Sequence, residues 1–386
     1  MENSLIPELR FPEFEGQWNV DKVGDLCDFI VPGRNKPKKF DGNIPWITTP
    51  DIDNYGFISK SKSELAVSTE EANNAGAKIV PKNSVIMSCV GELGILAMTK
   101  NPLIINQQLH AFLPKEGIHN WFLLYELSTK KKYMEMVATK TAVPYMNKNN
   151  CNSIPIYYPT RQEQTKIANS LTAVDKRITL LKKKKAELEQ YKKGVMQKLF
   201  SQSIRFKDEN GNDFPDWEEK KLGKVCDIVK GKQLNASELT EKGTYPAING
   251  GIQPSGYTED WNTVEDTITI SEGGNSCGYV NFIKTKFWSG GHCYSLLNIG
   301  VEILNEFLYQ SLKYNQNQIM KLRVGSGLPN IQKGDVANYK ILLPHKSEQQ
   351  KIASFLSSID KKIGKTEQQI EESTKFKQGL LQKMFV

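Results

Sequence analysis

Apolar residues recur at alternating spacings of four and three through two long stretches of the chain. In 159–200 the register is held by Ile167, Leu171, Val174, Ile178, Leu181, Leu188, Val195 and Leu199, with Lys185 and Lys192 falling on it. In 344–385 it is held by Ile352, Leu356, Ile359, Ile363, Ile370, Leu380 and Met384, with Thr366, Ser373 and Lys377 on it. A 3-4 repeat over about five heptads predicts coiled-coil helices. Neither stretch contains a proline after its first residue, and about 40 helical residues rise roughly 60 Å. Polar residues on such a seam lower stability and fix register or orientation. Neither stripe can stay in water, so the two helices are expected to pair with each other. A whole domain lies between them and permits either direction; chain geometry favours antiparallel.

The two stretches are also copies of one another. At a constant offset of 185 residues, 16 of 42 positions are identical, among them Pro159/Pro344, Glu163/Glu348, Gln164/Gln349, Ile167/Ile352, Ala168/Ala353, Leu171/Leu356, Asp175/Asp360, Gly194/Gly379 and Phe200/Phe385. Val143-Pro144 answers Leu328-Pro329 at the same offset. Trp18, Gly24, Cys27 and Asp28 recur 199 residues later as Trp217, Gly223, Cys226 and Asp227. The middles of the two units show little likeness, so similar frames are expected to hold two different inserts, each a separate reading head.

Those inserts read differently from the helices. Short β-rich runs, such as Ile44-Pro45-Trp46-Ile47-Thr48, Ser84-Val85-Ile86-Met87-Ser88 and Thr267-Ile268-Thr269-Ile270, alternate with Gly, Asn and Pro turns. Each insert has one helical stretch near its end, 120–137 and 302–322. The expected fold class is α+β, with two inserted domains in similar frames, separated by two long helices in an antiparallel coiled coil, and a pseudo-twofold internal repeat. The boundaries are 1–158 for the first domain, 159–203 for the first helix, 204–343 for the second domain and 344–386 for the second helix.

At 386 residues the chain has room for two or three domains. No apolar run approaches the roughly 20 residues of a membrane span, and the N-terminus lacks the basic and apolar regions of a signal peptide. Six dispersed cysteines without a Cys-x-x-Cys pair read as reduced thiols in a cytoplasmic protein. The net charge of +8 and pI near 8.9 favour an anionic partner. Basic residues gather in the loop holding Arg34, Lys36, Lys38 and Lys39 and in the runs 130–132 and 182–185, where a solvated face is the plain alternative.

Catalytic signatures are missing. The sequence has no Gly-x-x-x-x-Gly-Lys-[Ser/Thr] loop and no Gly-x-Gly-x-x-Gly after a strand. Asn43-Ile44-Pro45-Trp46 is a poor version of an adenine methyltransferase Asn-Pro-Pro-Tyr motif. Pro215-Asp216 with Glu218-Glu219-Lys220 is too compact for a nuclease centre and reads as a turn into the second domain. His292 beside Cys293 would point to opposite faces of a strand, and the other histidines show no metal-ligand spacing. The expectation is a chain without catalytic, cofactor or metal site.

Several segments resemble type I restriction–modification specificity subunits. They are Glu8-Leu9-Arg10-Phe11-Pro12-Glu13-Phe14 followed by Trp18 and Gly24-Asp25-Leu26, the second opening from Phe206-Lys207-Asp208 through Phe214-Pro215-Asp216-Trp217 to Leu222-Gly223, and Ile44-Pro45-Trp46-Ile47-Thr48 with Asp51-Ile52. The frame Pro159, Glu163-Gln164-x-Lys166-Ile167-Ala168 and Gly194-Val195-Met196-Gln197-Lys198-Leu199-Phe200, given twice, is similar to the end of each family unit. The resemblance covers essentially the whole chain. It implies that each domain reads one half of an asymmetric, bipartite site in double-stranded DNA and that the helices set the spacer. It also implies binding to two methyltransferase subunits, which carry S-adenosylmethionine and methylate adenine. Restriction and translocase subunits, which use ATP and Mg, would join for cleavage of unmodified DNA.

Base reading calls for Arg, Lys, Asn and Gln at base edges and basic residues at phosphates. In the first domain the candidates are Arg34, Lys36, Lys38, Lys39, Thr48, Thr49, Asn106, Gln107, Gln108, Lys140, Thr141 and Tyr145. In the second they are Lys230, Lys232, Gln233, Asn249, Asn275, Ser276, His292, Arg323, Ser326 and Asn330. For each the alternative is a turn residue or an ordinary surface polar group. For the whole chain the competing function is a coiled-coil adaptor that joins protein partners without touching DNA. A related system with reading and cleavage distributed differently is a third possibility.

Overall fold

The computed structural model describes residues 5–33, 35–53, 55–325 and 327–386. They form two units: Met1–Lys182 with Gln368–Val386, and Lys183–Glu367. Each unit therefore contains one inserted domain, the start of one long helix and the end of the other.

In the first unit, strand Asn19–Lys22 pairs with Pro155–Tyr158 and closes the domain at its root. A five-stranded sheet runs in the order Cys27–Ile30, Leu109–Pro114, Val85–Ser88, Leu96–Thr99, Gly56–Ile58, antiparallel except for the last pair. A second sheet orders Ala66–Val67, Ile44–Ile47, Leu103–Ile105 and Ile79–Val80. Val85–Ser88 and Leu96–Thr99 are buried at every position, because both faces of these strands are covered and neither can carry a polar face. On one face, helix Asn120–Thr129 packs Phe122, Leu123 and Leu124 into a core with Met87, Leu96, Ile167 and Leu171.

The second unit repeats the plan. Glu218–Lys221 pairs with Lys340–Leu343 at the root. One sheet runs Asp227–Lys230, Cys293–Leu297, Thr267–Ser271, Val280–Ile283, and the other Gly256–Thr258, Tyr245–Ile248, Trp288–Ser289. Ile44–Ile47 and Tyr245–Ile248 each have one parallel and one antiparallel neighbour. The expectation of two different inserts therefore needs correction. They share one sheet plan, to which the first unit adds strands Gly56–Ile58 and Ile79–Val80 and helix Thr69–Asn74. Burial pattern and register define such a plan, and many apolar residue sets satisfy it, so identity at single positions does not reveal it.

The helical stretches at 120–137 and 302–322 are each broken in two. The first consists of Asn120–Thr129 and Lys131–Val137, the second of Asn305–Tyr314 and Gln316–Met320. The breaks fall at Lys130 (φ −93°, ψ 16°) and at Asn315 (φ −86°, ψ 7°), equivalent places in the repeat. Lys130 is not part of a solvated run. It is buried against Glu126 at 2.8 Å, donates to the Val386 carbonyl at 3.1 Å and lies over the Tyr157 ring.

The long helices span Arg161–Phe200 and Lys346–Lys383, and every expected seam position is buried or half-buried. They are antiparallel within each unit. Lys377 meets Asp175 at 2.7 Å in the first, while Lys192 meets Asp360 at 2.7 Å and Lys185 meets Glu367 at 2.8 Å in the second. A step forward on one helix is a step back on the other. The lysines that interrupt the seam are thus interhelical ion-pair donors. The repeated frame residues have matching tasks. Arg10 grips Glu163 through two hydrogen bonds of 2.8 Å, and Arg205 grips Glu348 at 3.1 and 2.7 Å. Gln164 and Gln349 accept from the His119 and Leu304 amides, and donate to the Pro159 and Pro344 carbonyls at their own helix starts. Phe385 packs edge-on to Trp18, as Phe200 does to Trp217. Among the described residues, no helix is long and apolar enough to cross a membrane.

Candidate nucleic-acid interface

At the end of each main sheet a set of loops is laced together by backbone hydrogen bonds, and the lacing is the same in both units. In the first, the Cys89 amide donates to the Gln108 carbonyl at 2.8 Å, Met146 donates to Cys89 at 2.9 Å, and Gly91 donates to Pro144 at 2.9 Å. In the second, Glu272 donates to the His292 carbonyl at 2.9 Å, Ile331 donates to Glu272 at 2.8 Å, and Gly274 donates to Pro329 at 3.0 Å. The bonds identify counterparts: Cys89 with Glu272, Gln108 with His292, Tyr145 with Asn330. The adjoining strands add Thr48 with Asn249, the residues that follow Ile47 and Ile248.

In the first unit the polar candidates converge. Thr49 donates to the Gln108 side-chain carbonyl at 3.3 Å and the Asn106 amide donates to the same oxygen at 3.1 Å. Gln107 reaches the Gly33 carbonyl at 3.1 Å, tying in the glycine-proline loop. Thr48 has a different task. Its hydroxyl and backbone N–H both donate to Asp51 at 2.7 Å, capping the short turn Thr49–Asp51. Burial would raise the Asp51 pKa, but hydrogen bonds from Thr48, Lys62 and Ser61 hold it below the ordinary carboxylate range.

Lys36, Lys38 and Lys39 are exposed. Lys36 and Lys38 line a pocket with Asn35, Glu71 and Asn74, and the Lys38 amide donates to Glu71 at 2.5 Å. Arg34 lies outside the described residues. Lys140, Thr141 and Tyr145 are exposed on the loop before Met146, where the Thr141 hydroxyl donates to the Val143 carbonyl at 2.7 Å.

In the second unit a buried carboxylate organises the candidates. Glu272 accepts from Lys230 at 2.6 Å and from the Tyr294 hydroxyl at 3.0 Å, and His292 Nδ1 lies 3.5 Å from it. Burial raises the Tyr294 pKa, and its hydrogen bond to Glu272 adds to that. Asn249 accepts from the His292 amide at 3.2 Å. Glycine is favoured beside it: a Cβ on Gly290 would come within 2.5 Å of the Asn249 side-chain oxygen and 2.9 Å of its Cβ, while Gly291 faces the movable end of Gln233. The Ser276 hydroxyl donates to the Gly250 carbonyl at 2.6 Å. Lys232 is held through its backbone, donating to Ser289 and accepting from the Trp288 indole, each at 2.9 Å. Asn275 and Arg323 are exposed, and Asn330 exchanges backbone bonds with Val324. Ser326 lies outside the described residues. Sequence reasoning missed Glu272. The glycines that follow it, Gly273-Gly274, mark a tight turn at a strand end and were the available signal.

The family described as "Type I restriction modification DNA specificity domain" matches residues 15–190 and 215–374. The chain belongs to this family. Among its relatives, the type I restriction enzyme MjaIX specificity subunit of Methanocaldococcus jannaschii is 26% identical over 403 residues, spanning 95% of this chain and 92% of that protein. The MjaVIII specificity subunit of the same organism is 26% identical over 419 residues, spanning 97% and 93%. The crystal structure of a type I restriction–modification S subunit from M. genitalium has the same fold, with a TM-score of 0.70 at 20% identity and 99% of each chain covered. As a member, this chain is a type I specificity subunit with target-recognition domains. Its two match ranges each take in one inserted domain and most of the helix that follows. Among the described residues, no group of three or more His, Cys, Asp or Glu could hold a metal ion.

Proposed function

We propose that each unit reads one half of an asymmetric, bipartite DNA site through its laced loops. The observation that carries this reading is the repeated loop set with unlike side chains at like places: Gln108 against His292, Tyr145 against Asn330, Thr48 against Asn249. One scaffold then presents two different donor and acceptor patterns, which is what two unlike half-sites require. Lys36, Lys38, Lys39, Lys140, Lys230, Lys232 and Arg323 supply phosphate contacts that position each unit, and the net charge of +8 suits that role.

The long helices set the number of unread base pairs between the half-sites. The doubled frame residues bind two methyltransferase subunits through equivalent surfaces. Adenine methylation takes place in those subunits, which hold S-adenosylmethionine and receive the adenine once it is flipped out of the stack. Restriction and translocase subunits add the ATP- and Mg-dependent cleavage of unmodified DNA. This chain contributes no catalytic group.

The test is adenine methylation mapping in cells that express the chain with its cognate methyltransferase subunit. The expected result is a bipartite motif with a fixed gap that disappears when this chain is removed. Methylation independent of the chain would replace DNA reading with the protein-adaptor role.

A further inference from the structure

Two exposed apolar side chains occupy the same place in the two units. Leu328 is 89% exposed and Val143 is 57% exposed, each directly before the matched Pro329 and Pro144. Scattered surface leucines are common and call for no explanation. A pair repeated at counterpart positions, with Arg323 near one and Lys140 near the other, is a different matter. The loops that carry them are also well braced. Val324 and Asn330 exchange backbone hydrogen bonds of 2.9 and 3.0 Å, and Gly274 holds the Pro329 carbonyl. In the first unit Thr139 donates to the Tyr145 carbonyl at 2.9 Å, Gly91 holds the Pro144 carbonyl, and Thr141 holds that of Val143. Leu328 and Val143 therefore face solvent beside backbone that these hydrogen bonds hold. Arg323 and Asn330 flank one tip, and Lys140 and Tyr145 the other.

We propose that Leu328 and Val143 are wedges that enter the base stack, one in each half-site. Apolar side chains beside prolines on a cationic surface are the groups with which proteins unstack base steps. The flanking cations hold the backbone while the wedge occupies the opened step, and the opened step eases extrusion of the target adenine towards a partner's pocket. The inference rests on the reading of each unit as a DNA reader, and it adds two contacts that make no base-edge hydrogen bond.

The experiment uses the full chain in complex with its methyltransferase subunit and a duplex carrying the mapped site, with 2-aminopurine scanned through each half-site. The wild-type complex is expected to brighten the probe at one step per half-site. Leu328→Ala should abolish that signal only in the half-site read by the second unit, and Val143→Ala only in the other. Each should weaken binding about tenfold, with affinity recovered when a mismatch pre-opens the step. Leu328→Met, which keeps an apolar wedge, should retain the signal. Site-specific binding with an unchanged signal in the alanine variants overturns the wedge and leaves the DNA-reading role standing. Loss of methyltransferase assembly without DNA present also overturns it, because the tips would then be a protein contact. A wild-type complex that does not retain DNA by sequence removes the reading on which the wedge rests.

Discussion

In the first unit Lys377 meets Asp175 at 2.7 Å beneath the rings of Tyr55 and Tyr125, and only 7% of its side chain is exposed. In the second, Lys192 meets Asp360 at the same distance, yet Asp360 is 41% exposed against 21% for Asp175. Where Tyr125 donates its hydroxyl to Asp175 at 2.6 Å, Gln310 donates an amide to Asp360 at 2.9 Å. The units differ again at the sheet edge. Strand Gly56–Ile58 covers Leu96–Thr99 in the first. In the second the corresponding edge is occupied by side chains: Gln316 accepts from the Val280 amide at 3.0 Å and Lys313 donates to its carbonyl at 2.8 Å. One unit solves each problem with added chain and aromatic cover, the other with polar side chains. The lesson is that the repeat keeps its charge pairs and strand order while the material that shields them is free to diverge.

The sharpest test of that equivalence lies at the domain roots. Glu163 and Glu348 are both buried carboxylates gripped by an arginine, but Glu348 also accepts from the Trp217 indole at 3.2 Å, whereas the Trp18 indole N–H has no such partner. Arg10→Ala should destabilise the first unit by about 3–5 kcal/mol, since it strands a buried charge. Arg205→Ala should cost about 1 kcal/mol less in the second, where one donor remains. Urea unfolding followed by unit-specific proteolysis separates the two, and equal losses would show that the tryptophan bond contributes nothing.

A difference in acid response should follow from the central strands. His110 is buried between Phe29 and Phe112, and its counterpart in the second unit is Tyr294. Burial pushes the His110 pKa down to about 4, helped by nearby Lys148 and opposed by Asn152. Between that value and the unfolded one near 6.5 the unfolded chain binds more protons, so stability falls as pH drops through this window. The loss amounts to about 3 kcal/mol by pH 4. His110→Gln should remove this acid sensitivity from the first unit, read as urea midpoints at pH 7 and pH 4.5. A variant as acid-sensitive as the wild type would place the titration elsewhere.

The interhelical lysines should respond unequally. Burial lowers the Lys377 pKa while Asp175 works against the shift. Lys377→Ala leaves Asp175 without its cation in a covered site and should cost about 3 kcal/mol. Lys192→Ala opens onto solvent and should cost about 1 kcal/mol. Thermal unfolding of the two variants ranks them, and a larger loss for Lys192→Ala would contradict the role assigned to the aromatic cover.

The helices, the repeat and the α+β class were legible because a 3-4 stripe and a constant offset are properties of spacing, which sequence displays directly. The strands 44–47, 85–88 and 267–271 were legible for the same reason, as apolar β-branched runs bounded by turns. The shared plan of the two inserts was not, since Ile86 and Thr269 can fill the same strand position with little chemical likeness. At the candidate interface, Gln108, His292, Asn249 and Tyr145 were found by residue type. Their equivalence depends on backbone bonds between segments 19 to 59 residues apart, which composition does not encode. The roles of Thr48 as a cap and of Glu272 as a buried hub depend on what each side chain faces.

The smallest expected effect tests whether the middle of the helix pair needs its charges. Lys185 reaches Glu367 at 2.8 Å and Glu189 at 3.7 Å, and its neighbour Lys183 reaches Glu187 at 3.7 Å. Glu367 is 64% exposed and Lys185 29%, so water competes with both ends of the bond. Hydrogen bonding to Glu367 raises the Lys185 pKa, so the lysine keeps its charge at neutral pH. Unlike Asp175 and Asp360, this contact has no counterpart in the repeat, since the position matching Lys185 is Ile370. Lys185→Ala should therefore cost only about 0.5 kcal/mol, and less in high salt, where exposed charges are screened. Replacing Lys185 by isoleucine, the residue at the matching seam position, should equal or exceed wild-type stability, because an apolar side chain suits a seam better than a half-exposed ion pair. A loss above about 2 kcal/mol for Lys185→Ile would mean that this unmatched pair fixes the helix register, a task otherwise assigned to the two matched lysines.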